Sequence, residues 1–230
     1  MNKKQFFSQL MAEFIGTFFM ILFGCGSMVI VEINPSALHS FTIPVIFGGI
    51  IATMIYAVGH ISGAHFNPAV TAAFFFLKRI SSKKMICYIC SQFLGAIIAT
   101  SIISIIWKKN HHYGATFIQT ELMPALIIEF LCSFLLMFVI VAVATDSRAI
   151  GELAGLAIGL TVSLCAFVFG PYTGASMNPV RSFAPALFNG NFEHLWIYLL
   201  VPILGTITAA FVYDKIRCDI NEIGNEHGCC

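Results

Sequence analysis

Charged residues are scarce in this sequence. Only 10% of its 230 residues are Asp, Glu, Lys or Arg, whereas 58% are hydrophobic. A soluble globular protein needs more polar surface than this composition can supply. The composition therefore excludes that class and indicates a membrane protein with several spans. The formal net charge is only +1, and the basic residues form no single face. We therefore expect no nucleic-acid partner.

The cysteines do not form an evident disulfide framework or metal site. Most of them lie in apolar segments, where a small side chain packs well. Cys87 and Cys90 have C-x-x-C spacing, but they lack a second pair or a nearby His. A metal site is therefore not expected, and neither is a cofactor. For Cys229 and Cys230 two interpretations stay open: modification, or an exposed tail.

Six apolar runs are long enough to cross a bilayer, with short loops between them. The first is too long for the apolar core of a signal peptide, so we interpret it as a span. We expect one transmembrane domain over 1–230, with no separate soluble domain. The predicted spans are Phe6 to Val31, Phe41 to Gly59, Met85 to Trp107, Met123 to Ala144, Ala149 to Phe169 and Leu195 to Tyr213.

Lys and Arg are concentrated on one side of these spans, which predicts that both termini are cytoplasmic. We expect the protein in the plasma membrane or an inner cell membrane. Lys108 and Lys109 fall on the opposite side. The residues on the terminal side are Lys3, Lys4, Lys78, Arg79, Lys83, Lys84, Arg148, Lys215 and Arg217.

Two stretches of small residues lead into an Asn-Pro pair, one in each half of the chain. The first is Asn67-Pro68-Ala69 and the second is Asn178-Pro179-Val180. Asn is a preferred N-cap and Pro fits the first helical position, so a helix is predicted to begin at each pair. The apolar stretch after each pair is too short to span a bilayer.

The halves are related by an internal repeat. Glu13-Phe14 in the first predicted span recurs as Glu129-Phe130 in the fourth. Three spans per copy force the second copy to enter upside down, so the repeat is inverted. The predicted fold is an all-α membrane protein with six transmembrane helices and two half-membrane helices. We place the first repeat at about 6–107, the second at about 123–213 and a cytoplasmic tail at 214–230.

The loop-to-helix junctions should line a water-filled cavity, because their backbone would be unsatisfied in lipid. The side-chain oxygens of Asn67 and Asn178 are expected to cap the helices and leave their amide groups as donors toward the cavity. Together with two positive helix ends, they would orient a water oxygen, interrupt a proton wire and repel cations. Arg181 is a charge within the membrane and hence a functional candidate.

Glycines lie where helices are expected to cross closely. They are Gly48, Gly49, Gly95, Gly151, Gly155, Gly159 and Gly205.

These motifs resemble those of the aquaporin, or major intrinsic protein, family. The resemblance runs from about residue 8 to 213. It rests on both Asn-Pro pairs, on Arg181, on His60 with Gly63, and on Ala12-Glu13-Phe14-Ile15-Gly16-Thr17. Val180 departs from it, because the family usually has Ala there. The resemblance implies an aquaporin-like right-handed bundle, a homotetramer with one pore per subunit, and a passive channel for water and small neutral solutes.

The same resemblance assigns a selectivity constriction to Phe47, Ala166, Ala175 and Arg181. Water-selective members carry His where this chain has Ala166, which implies a wider, less polar opening. Ser182 departs from glycerol facilitators, which carry Asp there. The surrounding run is closer to plant nodulin-like intrinsic proteins, which pass small uncharged solutes, so glycerol, urea and metalloid hydroxides are candidate solutes.

Two carboxylates, Glu13 and Glu129, lie inside predicted spans. In a proton-coupled transporter they could form a relay. The family resemblance instead makes them structural acceptors for loop N–H groups, beside His60 and His65, and we favour this interpretation. No nucleophile and base accompany them, so no catalytic site is predicted.

Two alternatives to a passive channel stay open. An ion-coupled secondary transporter can share the inverted repeat. A membrane junction or scaffold protein with a closed pore is the other alternative. Fast osmotic shrinkage of proteoliposomes without a proton or sodium gradient would leave only the channel.

Overall fold

The computed structural model describes residues 2–108, 112–145 and 151–217. These ranges form eight α-helices and one short 3₁₀ turn at Gly151–Leu153. The helices are α1 Lys3–Ile33, α2 Thr42–Ser62, α3 Pro68–Phe76, α4 Ser82–Ile106, α5 Leu122–Thr145, α6 Ala154–Thr173, α7 Pro179–Asn189 and α8 Leu195–Ile216.

The predicted helical architecture is confirmed. Six helices are long and apolar enough to cross a membrane, while α3 and α7 have only 9 and 11 residues. The largest boundary difference is in α6, which continues through Pro171 to Thr173 instead of ending at Phe169. The predicted start of that span at Ala149 lies outside the described residues, as do Cys229 and Cys230.

Glycines let equivalent helices of the two halves approach closely. A Cβ at Gly95 would lie 2.5 Å from the Phe14 carbonyl oxygen, and one at Gly205 would lie 2.5 Å from that of Phe130. Pairs α1/α4 and α5/α8 therefore approach backbone to backbone in the same way. Gly48 and Gly159 bring α2 and α6 together, each against the other's backbone.

Two of the glycine predictions are wrong. Among the described residues, a Cβ at Gly49 or Gly151 would meet no atom within 4 Å, so neither glycine serves a close crossing there. Gly155 does lie at a crossing, because a Cβ there would be 3.0 Å from the Tyr56 ring.

The half-helices α3 and α7 meet end to end within the bundle. Asn67 Nδ2 donates to the Met177 carbonyl at 2.7 Å, and Asn178 Nδ2 donates to the Phe66 carbonyl at 3.0 Å. These reciprocal bonds join the two halves at the start of both short helices. We call the end of the bundle where α1 begins the proximal end, and the opposite end the distal end.

The segment between α4 and α5 folds into the distal end. Gln119 N donates to the Tyr172 carbonyl at 2.8 Å, and Thr116 Oγ1 donates to Ser182 Oγ at 2.8 Å. Gly114 is buried, with a φ of 75°. From the sequence this segment is only a loop between spans, whereas the structure places part of it against α7.

Candidate functional site

Each half-helix begins after a loop with the same unusual backbone. Gly63 and Gly174 directly follow helices α2 and α6 as their C-cap residues. Their φ angles are 93° and 83°. Two further residues in each loop have positive φ: Ala64 and Phe66, then Ala175 and Met177. Such angles are unfavourable for residues other than glycine and persist only where surrounding bonds enforce them.

Glu13 provides those bonds in the first half, where its side chain is fully buried. Its Oε1 accepts from Ser62 Oγ at 2.7 Å and from His65 N at 2.9 Å. Its Oε2 accepts from Phe66 N and from Gln92 Nε2, both at 2.8 Å. The carboxylate therefore satisfies two consecutive backbone N–H groups of the loop and fixes its course.

Glu129 provides the same bonds in the second half and is also fully buried. Its Oε1 accepts from Thr173 Oγ1 at 2.8 Å and from Ser176 N at 2.9 Å. Its Oε2 accepts from Met177 N at 3.1 Å. Both carboxylates bond to backbone amides of the loops, which is the geometry of structural support.

Because the loop N–H groups bond to the carboxylates, several loop carbonyls have no donor. Across the described residues, no protein donor reaches the carbonyl oxygens of Ala64 and His65, or of Ala175 and Ser176. These residues line the cavities described below. Their carbonyls can therefore accept hydrogen bonds from a solute.

The Asn side chains complete each junction. Asn67 Oδ1 accepts from Ala69 N at 2.8 Å, and Asn178 Oδ1 accepts from Val180 N at 3.2 Å. Each amide group donates one hydrogen to the opposite half. The second hydrogen of Asn178 makes only a long contact, 3.8 Å, with Met20 Sδ. Both Asn side chains line the cavity system, so the second hydrogen can donate to a molecule inside it.

The other residues of the two motifs lie behind the Asn pair. Pro68, Ala69, Pro179 and Val180 are buried, and none lines the three cavities described here. Val180 is 0% exposed and packs in the apolar core. Its departure from Ala therefore changes core packing, not the cavity wall.

Three cavities lie in series through the bundle. A proximal cavity of about 430 Å³ and a distal cavity of about 520 Å³ are separated by a neck of about 40 Å³. The neck shares Asn67 and Asn178 with the proximal cavity, and Phe47 and Arg181 with the distal cavity. The centre of one water molecule needs about 10–15 Å³ of cavity volume, so the neck has room for only a few water molecules.

The four residues assigned to the constriction converge on this neck. Phe47, Ala166, Ala175 and Arg181 all line it. Arg181 lies with its guanidinium carbon 5.0 Å from the Phe47 ring centre, which is cation–π geometry. The two alanines supply no polar group beyond the backbone, so the wall of the neck combines a cation with small side chains.

Arg181 is only 4% exposed and is held by two acceptors. Its Nη1 donates to the Gly114 carbonyl, 2.6 Å away, and its Nη2 donates to Met28 Sδ, 2.9 Å away. A carbonyl and a thioether are neutral partners, so the positive charge is not cancelled locally. The remaining guanidinium donors are available to the neck.

The two histidines differ in position. His65 lines the proximal cavity, with its Nδ1 3.1 Å from Thr71 Oγ1 and its ring stacked on Phe74 at 4.6 Å. His60 is exposed on α2, and no hydrogen bond connects it to Glu13 in the described structure. The expectation that His60 supports the loop is therefore wrong.

Several contacts of the site are not visible in the sequence. Gly114 and Met28 hold Arg181, and Gln92 adds a donor to Glu13. An arginine buried in a membrane requires neutral or acidic acceptors nearby, so the sequence indicates that Arg181 has such partners but not which residues they are. Among the described residues, no group of three or more His, Cys, Asp or Glu could hold a metal ion.

Two half-helices that meet at a narrow neck within six spans define the class of this protein as a membrane channel. The family model described as "Major intrinsic protein" matches residues 1–213, and the chain belongs to that family.

Relatives are consistent with this membership. The chain is 43% identical to "Nodulin-26" of Glycine max over 213 residues, which cover 92% of this chain and 79% of that protein. It is 46% identical to "Probable aquaporin NIP-type" of Nicotiana alata over 211 residues, which cover 91% and 77%.

A solved structure shows the same fold. The X-ray structure of the aquaglyceroporin from Plasmodium falciparum superposes with a TM-score of 0.82 at 23% identity, covering 92% of this chain and 96% of that one. Family and relatives together identify the chain as a channel for water and small solutes.

Proposed function

We propose that the protein is a passive channel for water and small uncharged solutes, including glycerol and urea, and that it excludes protons and other cations. The observation that carries this proposal is the neck, which Arg181 lines together with two alanines. A solute that sheds its hydration water needs both room and replacement hydrogen bonds. Ala166 and Ala175 leave room, while Arg181 and the loop carbonyls offer the bonds.

The Asn pair supports proton exclusion. Each of Asn67 and Asn178 has a second amide hydrogen beyond its bond to the opposite half, and that of Asn178 is held only by a 3.8 Å contact with Met20 Sδ. A water oxygen that accepts both hydrogens directs its own hydrogens away from the pair, which interrupts a proton wire. The N-terminal ends of α3 and α7 add positive potential at the same place, and this disfavours cations.

The decisive experiment is a flux measurement on the purified protein in sealed liposomes. Light scattering after an osmotic step gives water permeability, and a glycerol or urea gradient gives solute permeability. We expect both to exceed those of empty liposomes without any proton or sodium gradient. Uptake that requires such a gradient would favour a coupled transporter, and no flux at all would favour a scaffold with a closed pore.

We further propose a homotetramer with one pore per subunit and a single transmembrane domain over 1–230, with its termini in the cytoplasm. The excess of Lys and Arg near the proximal end supports the orientation. Antibody tags at the two termini should be reached only after permeabilisation of cells. Labelling of either terminus in intact cells would reverse the orientation.

A further inference from the structure

A methionine of α1 contacts the cation of the neck. Arg181 Nη2 donates to Met28 Sδ at 2.9 Å, while Nη1 bonds to the Gly114 carbonyl. Met28 also lines the distal cavity together with Phe47 and Ala166. One nitrogen of the guanidinium therefore donates to a thioether, which is a weak hydrogen-bond acceptor.

A second methionine on the same helix provides a comparison. Met20 lies two turns earlier, with its Sδ 3.8 Å from Asn178 Nδ2. It is only 3% exposed, whereas Met28 is partly exposed. Of these two, Met28 is the thioether that a molecule entering from the distal end meets first.

We propose that Met28 is a fifth member of the constriction and that its oxidation to the sulfoxide reduces passage through the neck. This inference rests on the proposed function. The oxidant is a hydroperoxide. Its O–O bond breaks, one oxygen forms a bond to Sδ, and the other leaves as water or an alcohol. The sulfur gives up two electrons, which the peroxide gains.

Access and consequence both follow from the geometry. Hydrogen peroxide is small and uncharged, so it can enter the distal cavity of about 520 Å³. The sulfoxide replaces an apolar thioether by a polar group that accepts strongly from a guanidinium. It adds an oxygen atom to the wall of the distal cavity, beside Arg181 and a neck of about 40 Å³, and it holds the guanidinium more strongly than the thioether does.

The test compares each protein with itself before and after peroxide treatment in liposomes. Wild type should lose about threefold or more of its glycerol permeability, because the added oxygen lies beside Arg181 where the distal cavity meets the neck. Mass spectrometry should find the sulfoxide at Met28. A thiol reductant should not restore permeability, since it acts on oxidised cysteine.

Two variants make the test specific. Met28→Leu has similar volume and no sulfur, so its permeability ratio after and before peroxide should stay near one. Met123→Leu removes a methionine that is 64% exposed and lines none of the three cavities, so this variant should respond like wild type.

Three results would overturn the inference: an undiminished peroxide effect in Met28→Leu, full permeability of wild type with Met28 oxidised, or a Met28 that peroxide leaves unmodified. The mass-spectrometric and thiol-reductant measurements use wild type alone and do not depend on how a variant folds. Failure of the proposed function is distinguishable, because untreated wild type would then pass no glycerol faster than empty liposomes.

Discussion

The two Asn-Pro loops share one hydrogen-bonding frame but have different surroundings. The frame consists of the buried carboxylate, the Asn cap and the bond between the halves. In both, a buried carboxylate accepts consecutive loop N–H groups, an Asn caps the half-helix, and the Asn amide bonds to the opposite half. Two residues after the second Pro stands Arg181, whereas Val70 occupies that position in the first half. The frame therefore places the two helix ends, and one residue makes the distal side of the neck cationic.

The cavities reflect this difference. The first loop lines the proximal cavity of about 430 Å³, and the second loop lines the neck of about 40 Å³. Pairing between the halves explains why the frame is kept in both: each Asn needs the carbonyl of the other loop. The side chains that determine selectivity take no part in this pairing, so they can differ between the halves.

The largest effect is expected when the frame itself is broken. Glu129→Ala leaves the N–H groups of Ser176 and Met177 buried without an acceptor. Each unsatisfied buried donor costs about 1–3 kcal/mol, so folded channel should be lost, as measured by size-exclusion chromatography and thermal unfolding in detergent. Glu193→Ala is the control, because Glu193 has a side chain that is 76% exposed. A folded, conducting Glu129→Ala protein would contradict the structural role.

The next largest effect should come from making the second half resemble the first. Arg181→Val removes the cation from the neck and widens it. We expect a cation current to appear under voltage clamp, since the pore widens and its electrostatic barrier is lowered. Wild type should carry no such current. A sodium or proton current in wild type would contradict the proposed role of the Asn pair.

A smaller and more selective effect is expected at Ala166. Ala166→His adds an imidazole to the neck, so glycerol permeability should fall about tenfold while water permeability changes much less. Ala166→Leu is a matched variant that adds bulk without a hydrogen-bonding group, so it should reduce both permeabilities. If wild type already excludes glycerol and urea, Ala166 does not widen the pore and the channel is water-selective.

Most of the fold could be predicted from the sequence, because apolar length, Asn-Pro capping and an odd number of spans per repeat are local or countable features. The direct acceptors of Arg181 could not. Gly114 and Met28 are distant from Arg181 in the chain, and neither residue type signals such a contact. His60 illustrates the converse case. It is close to the first Asn-Pro motif in the sequence, yet it does not contact Glu13 in the structure.

The smallest effect should follow from making the first carboxylate resemble the second. Glu13 has four donors and Glu129 has three, and the additional donor is Gln92 Nε2. Gln92→Met removes this charge-assisted bond, which costs about 1.5–3 kcal/mol. It also removes Gln92 Oε1, a buried oxygen without a hydrogen-bond partner, and that gain offsets much of the loss.

The net destabilisation by Gln92→Met should therefore be about 0–2 kcal/mol, with wild-type water and glycerol permeability. Thermal unfolding in detergent and flux in liposomes measure the two quantities, and Gln119→Met, at an exposed position, is the control. Thr71 loses the Gln92 donor but still donates its hydroxyl to the Asn67 carbonyl at 2.9 Å, so the start of α3 stays fixed. Loss of the fold in Gln92→Met would mean that three donors, sufficient for Glu129, do not suffice for Glu13, and that the halves differ in their frame as well as in their surroundings.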